Sequence, residues 1–296
     1  MKTSNHLLRR LTAALLAAVL ALSIALPVFA SDDGDTIYIN SVSDLLSLAR
    51  SCAYDQWSVG KTVILQKDLS LEGMLWEPIP SFSGQFKGNG HTISDLTITG
   101  QYSPAGLFGI VEEQGPIESL SVRGVVSVSD SADTTTGGIV GVNHGTLINC
   151  QFTGVVTGDS EVGGIVGRNE SEGTIDHGTA RAIVTGKSST GGIAGYNLGA
   201  ITGCTNVGSI NTEYPEASLD TDGFTAKMVD YINNKMAAAD NDATNSVTNV
   251  ATDTGGIAGR SSGMILTSVN TGTIGYEHVG YNVGGIVGRT DGLVSG

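Results

Sequence analysis

"GGIVGVNHGTLINC", residues 137–150, returns 54 residues later as "GGIAGYNLGAITGC", residues 191–204. Both copies open with a pair of glycines, an isoleucine and a further glycine. They then place an asparagine, a glycine and a cysteine at matching positions. Self-similarity of this kind is the mark of a repeat architecture. The fold is therefore decided by how this unit stacks on copies of itself.

The heart of the unit is a glycine, two apolar residues and a second glycine, and it occurs six times in the chain. The paired glycines are Gly106 and Gly109, Gly138 and Gly141, Gly164 and Gly167, Gly192 and Gly195, Gly256 and Gly259, and Gly285 and Gly288. Successive copies start 26 to 32 residues apart, except that 64 residues separate Gly192 from Gly256. We interpret the long interval as one repeat plus an insertion.

Composition agrees with many short strands joined by glycine turns. The chain has 42 glycines without the three-residue period of collagen, and a hydrophobic fraction of 40% is too high for a disordered chain. Each unit carries about three short stretches of alternating, β-branched sequence. Strands this short cannot bury an apolar face alone, so the pattern predicts that the units stack into a solenoid.

One polar position of the unit decides how a serine motif is interpreted. Asn143, Asn169 and Asn197 occupy it in three copies, and Ser261 occupies it in a fourth. We predict that the asparagines form an axial ladder with neighbours about 4.8 Å apart. "GRSSG" at 259–263 has the spacing of a serine-hydrolase nucleophile elbow, but no helix pattern follows it. We therefore interpret Ser261 as a member of the repeat rather than as a nucleophile.

The units, together with "FSGQFKGNGHTISDLTI" at 82–98, resemble the GLUG repeat of bacterial surface proteins over about residues 75–296. The resemblance implies a right-handed parallel β-helix that is secreted or displayed on the cell wall. Similar repeats lie upstream of the catalytic domain in some immunoglobulin-A metalloproteases. The His-Glu-x-x-His signature of that group is missing, since Glu277-His278 has the reverse order and lacks a second histidine. Protease activity is therefore not implied.

The first 30 residues have the basic start, apolar middle and small-residue end of a secretory signal peptide, with cleavage predicted after Ala30. No later apolar run reaches the ~20 residues of a membrane span. The formal net charge of −14 becomes −17 when the three basic residues of this segment are removed. Such a charge excludes nucleic acid as a partner, because that binding needs Lys and Arg. We expect a secreted or cell-surface protein.

Two further segments flank or interrupt the repeats. Residues 31–74 are predicted to form a strand-helix-strand cap, with Ser41 or Ser43 as the helix N-cap and Leu45, Leu46, Ala49 and Cys52 on one helical face. The insertion, at about 213–251, contains an amphipathic helix pattern. Its apolar face is Phe224, Met228, Tyr231, Ile232 and Met236. Such a stripe either packs on the solenoid flank or contacts a partner.

Cysteine usage and the acidic clusters predict neither disulfides nor a bound ion. The three cysteines are too few and odd in number for a stapled scaffold, and they fit no zinc spacing. Cys150 and Cys204 fall in one column two units apart, about 9.5 Å, which exceeds the ~7 Å limit for a bridge. No acidic cluster completes a calcium loop. We predict free thiols, no metal and no cofactor.

The functional hypothesis is a non-enzymatic extracellular module that acts as a stalk or as an adhesin-type surface for a host protein or glycan. The alternatives are a polysaccharide lyase-like enzyme and the non-catalytic arm of a larger secreted protease. A lyase site needs carboxylates and a basic residue that converge on one face. Arg168, Arg260 and Arg289 share a register, but Val142 and Tyr196 interrupt the column and no acidic column accompanies it. The last unit stops early, so we expect a longer protein and self-association of the 31–296 piece through its C-terminal end.

Overall fold

The computed structural model describes residues 35–54, 56–113, 115–128, 134–212, 253–275 and 282–296. The predicted signal peptide and the insertion at 213–251 lie outside this part of the chain. The described residues from Thr36 onward belong to one unit. Every strand pairing between coils is parallel, which makes the fold the predicted parallel β-helix.

Each full coil contributes one strand to each of four sheets, which we number in the order in which a coil visits them. Sheet 1 consists of β10 (Thr135–Gly137), β14 (Glu161–Gly163), β18 (Ser189–Gly191), β23 (Asp253–Gly255) and β28 (Asn282–Gly284). Sheet 2 consists of β4 (Ile79–Phe82), β7 (Phe108–Val111), β11 (Val140–Asn143), β15 (Val166–Asn169), β19 (Ala194–Asn197), β24 (Ala258–Ser261) and β29 (Val287–Thr290).

Sheet 3 is the longest along the axis, and sheet 4 spans as many coils as sheet 2. Sheet 3 consists of β1 (Thr36–Ile39), β2 (Thr62–Leu65), β5 (Gln85–Lys87), β8 (Pro116–Glu118), β12 (Thr146–Ile148), β16 (Thr174–Asp176), β20 (Ala200–Thr202), β25 (Met264–Leu266) and β30 (Leu293–Ser295). Sheet 4 consists of β3 (Leu69–Ser70), β6 (Thr92–Gly100), β9 (Ser121–Val128), β13 (Gln151–Thr157), β17 (Thr179–Thr185), β21 (Thr205–Asn206) and β26 (Val269–Asn270), with β22 (Ser209–Ile210) and β27 (Thr273–Ile274) continuing it.

A coil thus contains four strand positions, where the sequence predicts about three strands. The glycine pair makes the difference, because it bends the chain between sheets 1 and 2. A side chain at Gly163 would overlap the carbonyl oxygen of Val166 on the far side of that bend. The last glycine of the motif meets another coil, since a Cβ at Gly167 would lie 2.6 Å from the amide nitrogen of Thr136. The repeated glycines are therefore required by close backbone approach.

The interior is filled by columns of apolar side chains that run along the axis. In sheet 2 the column passes from Phe108 through Val140 and Val166 to Ala194 and Ala258, all fully buried. Near the N-terminal end the core is aromatic, with the rings of Phe82, Phe86 and Phe108 at centroid distances of 5.4 to 6.2 Å. The side chains of this column become smaller from Phe108 to Ala258, and Val287 follows in the last coil.

The only helix among the described residues is α1 (Val42–Ser51). Ser41 is its N-cap and its hydroxyl accepts a hydrogen bond from the Asp44 amide. Leu45, Leu48 and Cys52 are buried against the core, and Leu46 and Ala49 are partly buried beside it. The strands on either side of α1, and β3 after them, already pair within sheets 3 and 4, although they precede residue 75. No helix in the described ranges is both long and apolar enough to cross a bilayer.

Candidate functional site

A ladder of buried asparagines runs along sheet 2, with one asparagine at the last residue of each of three successive strands. Strand pairing sets Asn143 beside Asn169, Asn169 beside Asn197, and Asn197 beside Ser261. Each amide nitrogen donates to the next coil, at 2.8 Å from Asn143 to Asn169, 2.8 Å from Asn169 to Asn197 and 3.1 Å from Asn197 to the Ser261 hydroxyl. All four side chains are fully buried. The structure thus brings together the three asparagines that the sequence aligned.

The ladder has a direction and an open end. Each amide nitrogen also donates to a backbone carbonyl of its own coil, as Asn143 does to Gly145 at 3.1 Å. The side-chain oxygen of Asn143 is buried without a hydrogen-bond partner, because Val111 holds the corresponding place in the preceding coil. Ser261 is at the opposite end of the ladder, where its buried hydroxyl accepts a hydrogen bond from Asn197. Its burial does not suit a nucleophile.

A second ladder was missed by the sequence reasoning. Asn206 donates to the side-chain oxygen of Asn270 at 2.7 Å across the coil interface in sheet 4. Each of the two also accepts from the backbone amide two residues on, at Gly208 and Gly272, as in an Asx turn. The signal was present as an aligned Asn-x-Gly in "CTNVG" and "SVNTG".

The outer face of sheet 2 carries the charged and aromatic residues of interest. Pairing places Val142, Arg168, Tyr196, Arg260 and Arg289 in one column, and we call the last four the Arg/Tyr column. The guanidinium carbons of Arg168 and Arg260 lie 5.0 and 5.1 Å from the centroid of the Tyr196 ring. Both distances suit cation–π contact, so the ring lies between two cations. Tyr196 therefore links the arginines rather than interrupting their column.

Arg168 is held by two carboxylates. Its Nη1 lies 2.7 Å from Oε1 of Glu161, and its Nε lies 2.6 Å from Oε1 of Glu170. Glu161 also accepts from the Thr135 hydroxyl at 3.2 Å. Partial burial by itself lowers the pKa of Arg168, but the charge of Glu161 and the hydrogen bond to Glu170 outweigh it and raise that pKa. The guanidinium is thus a fixed cation.

The arginines have no acidic column beside them, as the sequence indicated, but single carboxylates reach Arg168 from outside its own column. Glu161 comes from sheet 1 and lies in register with Thr135 and Ser189, so it reaches Arg168 across the bend between two sheets. Glu170 directly follows Asn169 and accepts from Arg168 within the same coil. Farther along, the Ser262 hydroxyl and the charges of Arg260 and Arg289 lower the pKa of Asp291. Comparing positions within sheet 2 alone could not find contacts that come from a different sheet.

The cysteines are buried and unbridged, as predicted. Burial raises the pKa of Cys150 and of Cys204 to about 12, and that of Cys52 to about 11. Gly178 separates Cys150 from Cys204, and its amide lies 3.2 Å from the Cys204 sulfur. Within the described ranges no group of three or more His, Cys, Asp or Glu side chains is arranged to hold a metal.

No protein-family model matches the chain. Halomucin of Haloquadratum walsbyi is 31% identical over 155 residues, which is 48% of this chain and 2% of halomucin. A "Putative Gly-rich membrane protein" of Evansella cellulosilytica is 29% identical over 137 residues, or 33% of this chain and 16% of that protein. The chain therefore spans a small part of either relative.

Among solved structures, the crystal structure of a "putative immunoglobulin A1 protease" from Bacteroides ovatus aligns with a TM-score of 0.55 at 18% identity. The alignment covers 81% of this chain and 66% of that one. At this identity the likeness concerns the fold. The chain is a parallel β-solenoid of a kind also seen in that crystal structure.

Proposed function

We propose that this chain is a non-enzymatic, extracellular β-helix repeat module of the GLUG type that serves as a stalk or as an adhesin-type surface. The observation that carries the proposal is the continuous axial order of sheet 2. Every strand from β4 to β29 pairs in register with its neighbours, and the buried asparagine ladder ties successive coils together. Such a stack of coils can act as a spacer or present a surface without a catalytic centre.

Three further observations support an extracellular role. Residues 1–30 have the pattern of a signal peptide, and the remaining chain is acidic with few aromatic residues. Stretches of halomucin and of the "Putative Gly-rich membrane protein" resemble this chain in sequence. The fold neighbour, described as a "putative immunoglobulin A1 protease", supports the alternative that such a module is the non-catalytic arm of a larger secreted protease.

If the module binds a ligand, the Arg/Tyr column is the surface we propose for it. It offers an aromatic side chain and three guanidinium groups on one outer face, with Glu161, Glu170 and Asp291 beside them. Tyr and Arg are the residue types that contribute most at binding surfaces. The mixture of charges favours a polar ligand, such as a glycan or a host-protein surface, over a simple polyanion.

A second candidate, a polysaccharide lyase-like enzyme, is favoured by one observation. Glu161, Arg168 and Glu170 converge on one face, as such a site would require. The raised pKa of Arg168 works against it, since a general base needs a pKa near the working pH. Both of its carboxylate partners are also engaged by the same guanidinium.

One set of measurements tests the proposal. The 31–296 protein is screened against glycans and host proteins and is assayed on acidic polysaccharides with and without calcium. Binding that is lost in Tyr196→Ala and Arg289→Ala, but kept in Thr146→Ala on the outer face of sheet 3, supports the adhesin-type surface. A lack of binding together with a lack of turnover supports the stalk. Turnover that disappears in Arg168→Ala would overturn the non-enzymatic proposal.

A further inference from the structure

Two of the three arginines in the Arg/Tyr column are not engaged by carboxylates. Arg168 has two such partners, and they come from fixed places in the repeat, since Glu161 lies seven residues before it and Glu170 two residues after it. Neither Arg260 nor Arg289 forms an ion pair with any residue that the structure describes. The arginines therefore differ in what occupies those two places in their own coils.

The place seven residues earlier is taken by a shorter or a neutral side chain. Strand pairing sets Asp253 and Asn282 in the column of Glu161 in sheet 1. Asp253, which precedes Arg260, is one methylene shorter than glutamate, and its Oδ1 accepts a hydrogen bond of 2.6 Å from the Asn282 amide. Asn282, which precedes Arg289, carries no charge. Sheet 1 therefore supplies neither arginine with the ion pair that Arg168 has.

The place two residues later does not supply an ion pair either. After Arg260 it holds Ser262, which is neutral, and after Arg289 it holds Asp291. The Ser262 hydroxyl is the largest cause of the lowered pKa of Asp291, ahead of the charges of the two arginines. Asp291 thus lies near both guanidinium groups without pairing with either.

Arg260 and Arg289 lie directly opposite each other on adjacent coils. Strands β24 and β29 pair the two residues, and neighbouring strands are about 4.8 Å apart. Like charges in this relation destabilise a sheet. The guanidinium carbon of Arg260 lies 5.1 Å from the centroid of the Tyr196 ring, and Arg289 is exposed. An oxyanion between the two would offset their repulsion and accept hydrogen bonds from both guanidinium groups.

Given the adhesin-type surface proposed above, on which this site rests, we propose that Arg260 and Arg289 bind one anionic group of an extracellular glycan, a carboxylate or a sulfate ester. Ser262, Asp291 and Asn282 stand at the flanking places, where their hydroxyl, carboxylate and amide can hydrogen-bond sugar hydroxyls. Polar neighbours of this kind favour a sugar over a peptide, which is anchored by apolar side chains in pockets. The formal net charge of −14 repels a dense polyanion, so a glycan with isolated anionic groups suits the site.

Calorimetric titration of the 31–296 protein with three short oligosaccharides tests this site. The probes are a tetrasaccharide of alternating glucuronate and N-acetylglucosamine, the same tetrasaccharide with its carboxylates reduced to alcohols, and cellotetraose with one sulfate ester. We expect a carboxylate or sulfate probe to bind at least about tenfold more tightly than the reduced one, and the stronger of the two identifies the anionic group. Arg289→Gln should remove that tenfold preference. Arg181→Gln, at an exposed arginine of sheet 4, makes the same change in net charge and should keep it.

Arg289→Lys separates charge from shape, since it keeps the cation but not the planar fork, and it should restore only part of the preference. Equal affinities for the anionic and reduced probes, equal losses in Arg289→Gln and Arg181→Gln, or no binding of any probe would each overturn the site. The stalk or an adhesin-type surface for another ligand would survive those results. An acidic peptide that binds more tightly than every saccharide would overturn the glycan assignment in favour of a protein carboxylate. Cleavage of a probe would instead overturn the non-enzymatic function.

Discussion

Gly192 lies against the side-chain amide of Asn206, so closely that a methyl group at this glycine would overlap Cγ of Asn206 and the carbonyl oxygen of Gly256. At Gly285, which holds the same position in the last described coil, an added methyl group would have no neighbouring atom within 4 Å. The two glycines therefore share a motif but not an environment.

The Gly192→Ala variant should lose roughly 1 to 3 kcal/mol of unfolding free energy, because the added methyl group overpacks the interior. The Gly285→Ala variant should change stability by less than about 0.5 kcal/mol. Urea melts followed by circular dichroism measure both. Equal losses in the two variants would mean that the glycine is needed for its backbone conformation rather than for the space it leaves.

Removing an inner member of the asparagine ladder should cost more than removing its first member. Asn169→Ala leaves the Asn143 amide without its acceptor and the Asn197 oxygen without its donor, and we expect a loss of roughly 2 to 4 kcal/mol. Asn143→Ala leaves only the Asn169 side-chain oxygen without its ladder donor, so we expect a loss of roughly 1 to 2 kcal/mol in unfolding free energy. Thermal melts of the two variants rank them, and the reverse order would contradict a directional ladder.

Thr267→Gly should stabilise the protein by about 1 kcal/mol. Thr267 follows β25 with φ of +46°, and Ser119, Asn149, His177 and Gly203 occupy the same left-handed corner in other coils. A β-branched residue is strained there, whereas glycine is not. The same exchange in strand β27, Thr273→Gly, should destabilise instead. Melting temperatures that fall in both variants would refute strain at the corner.

Buried thiols make stability sensitive to alkaline pH. Because the folded-state pKa values of Cys150 and Cys204 are raised to about 12, the native state keeps these protons while the unfolded chain begins to lose them near pH 8.5. Their contribution is fully present below that pH and is lost as pH rises toward the folded-state values.

We therefore expect the melting temperature to fall between pH 8 and pH 10.5. The fall should be shallower in a Cys150→Ala/Cys204→Ala double variant. A thiol reagent at pH 8 should label neither residue until denaturant is added. Prompt labelling of the native protein would contradict the burial of these side chains.

We expect the 31–296 piece to self-associate through its last strands. Val283 of β28 and Leu293 and Val294 of β30 are 45%, 54% and 39% exposed, and they lie beside strand edges that can pair with another chain. A Leu293→Lys/Val294→Lys variant should sediment as a smaller species than the wild type at the same concentration. A wild type that stays monomeric at high concentration would rule this out.

The main features were predictable from the sequence because residues that are one repeat apart in a solenoid lie beside each other on adjacent coils. Aligning the units was enough to place Asn143, Asn169 and Asn197 in one column and to keep Cys150 apart from Cys204. The helix was predicted with its N-cap, although Leu48 contributes to the buried face along with Leu45 and Cys52.

What the sequence could not supply were contacts between different sheets and the bends that join them. Glu161 reaches Arg168 only because the glycine pair folds sheet 1 back toward sheet 2, and that same bend turned three expected strands into four. The corner residues were missed for a related reason. Ser119, Asn149 and His177 share a left-handed conformation but no residue type, so no pattern marks them.

Asn197 and Ser261 are 64 residues apart in the chain, against 28 for Asn169 and Asn197, yet both pairs meet at one coil step. Closing the longer loop costs about 0.7 kcal/mol more in chain entropy. Folding that spreads from coil to coil is therefore slowest at this interface, because the longer loop has to close before the next coil can pair. Coils on its two sides should assemble as separate kinetic units, with the N-terminal set forming first.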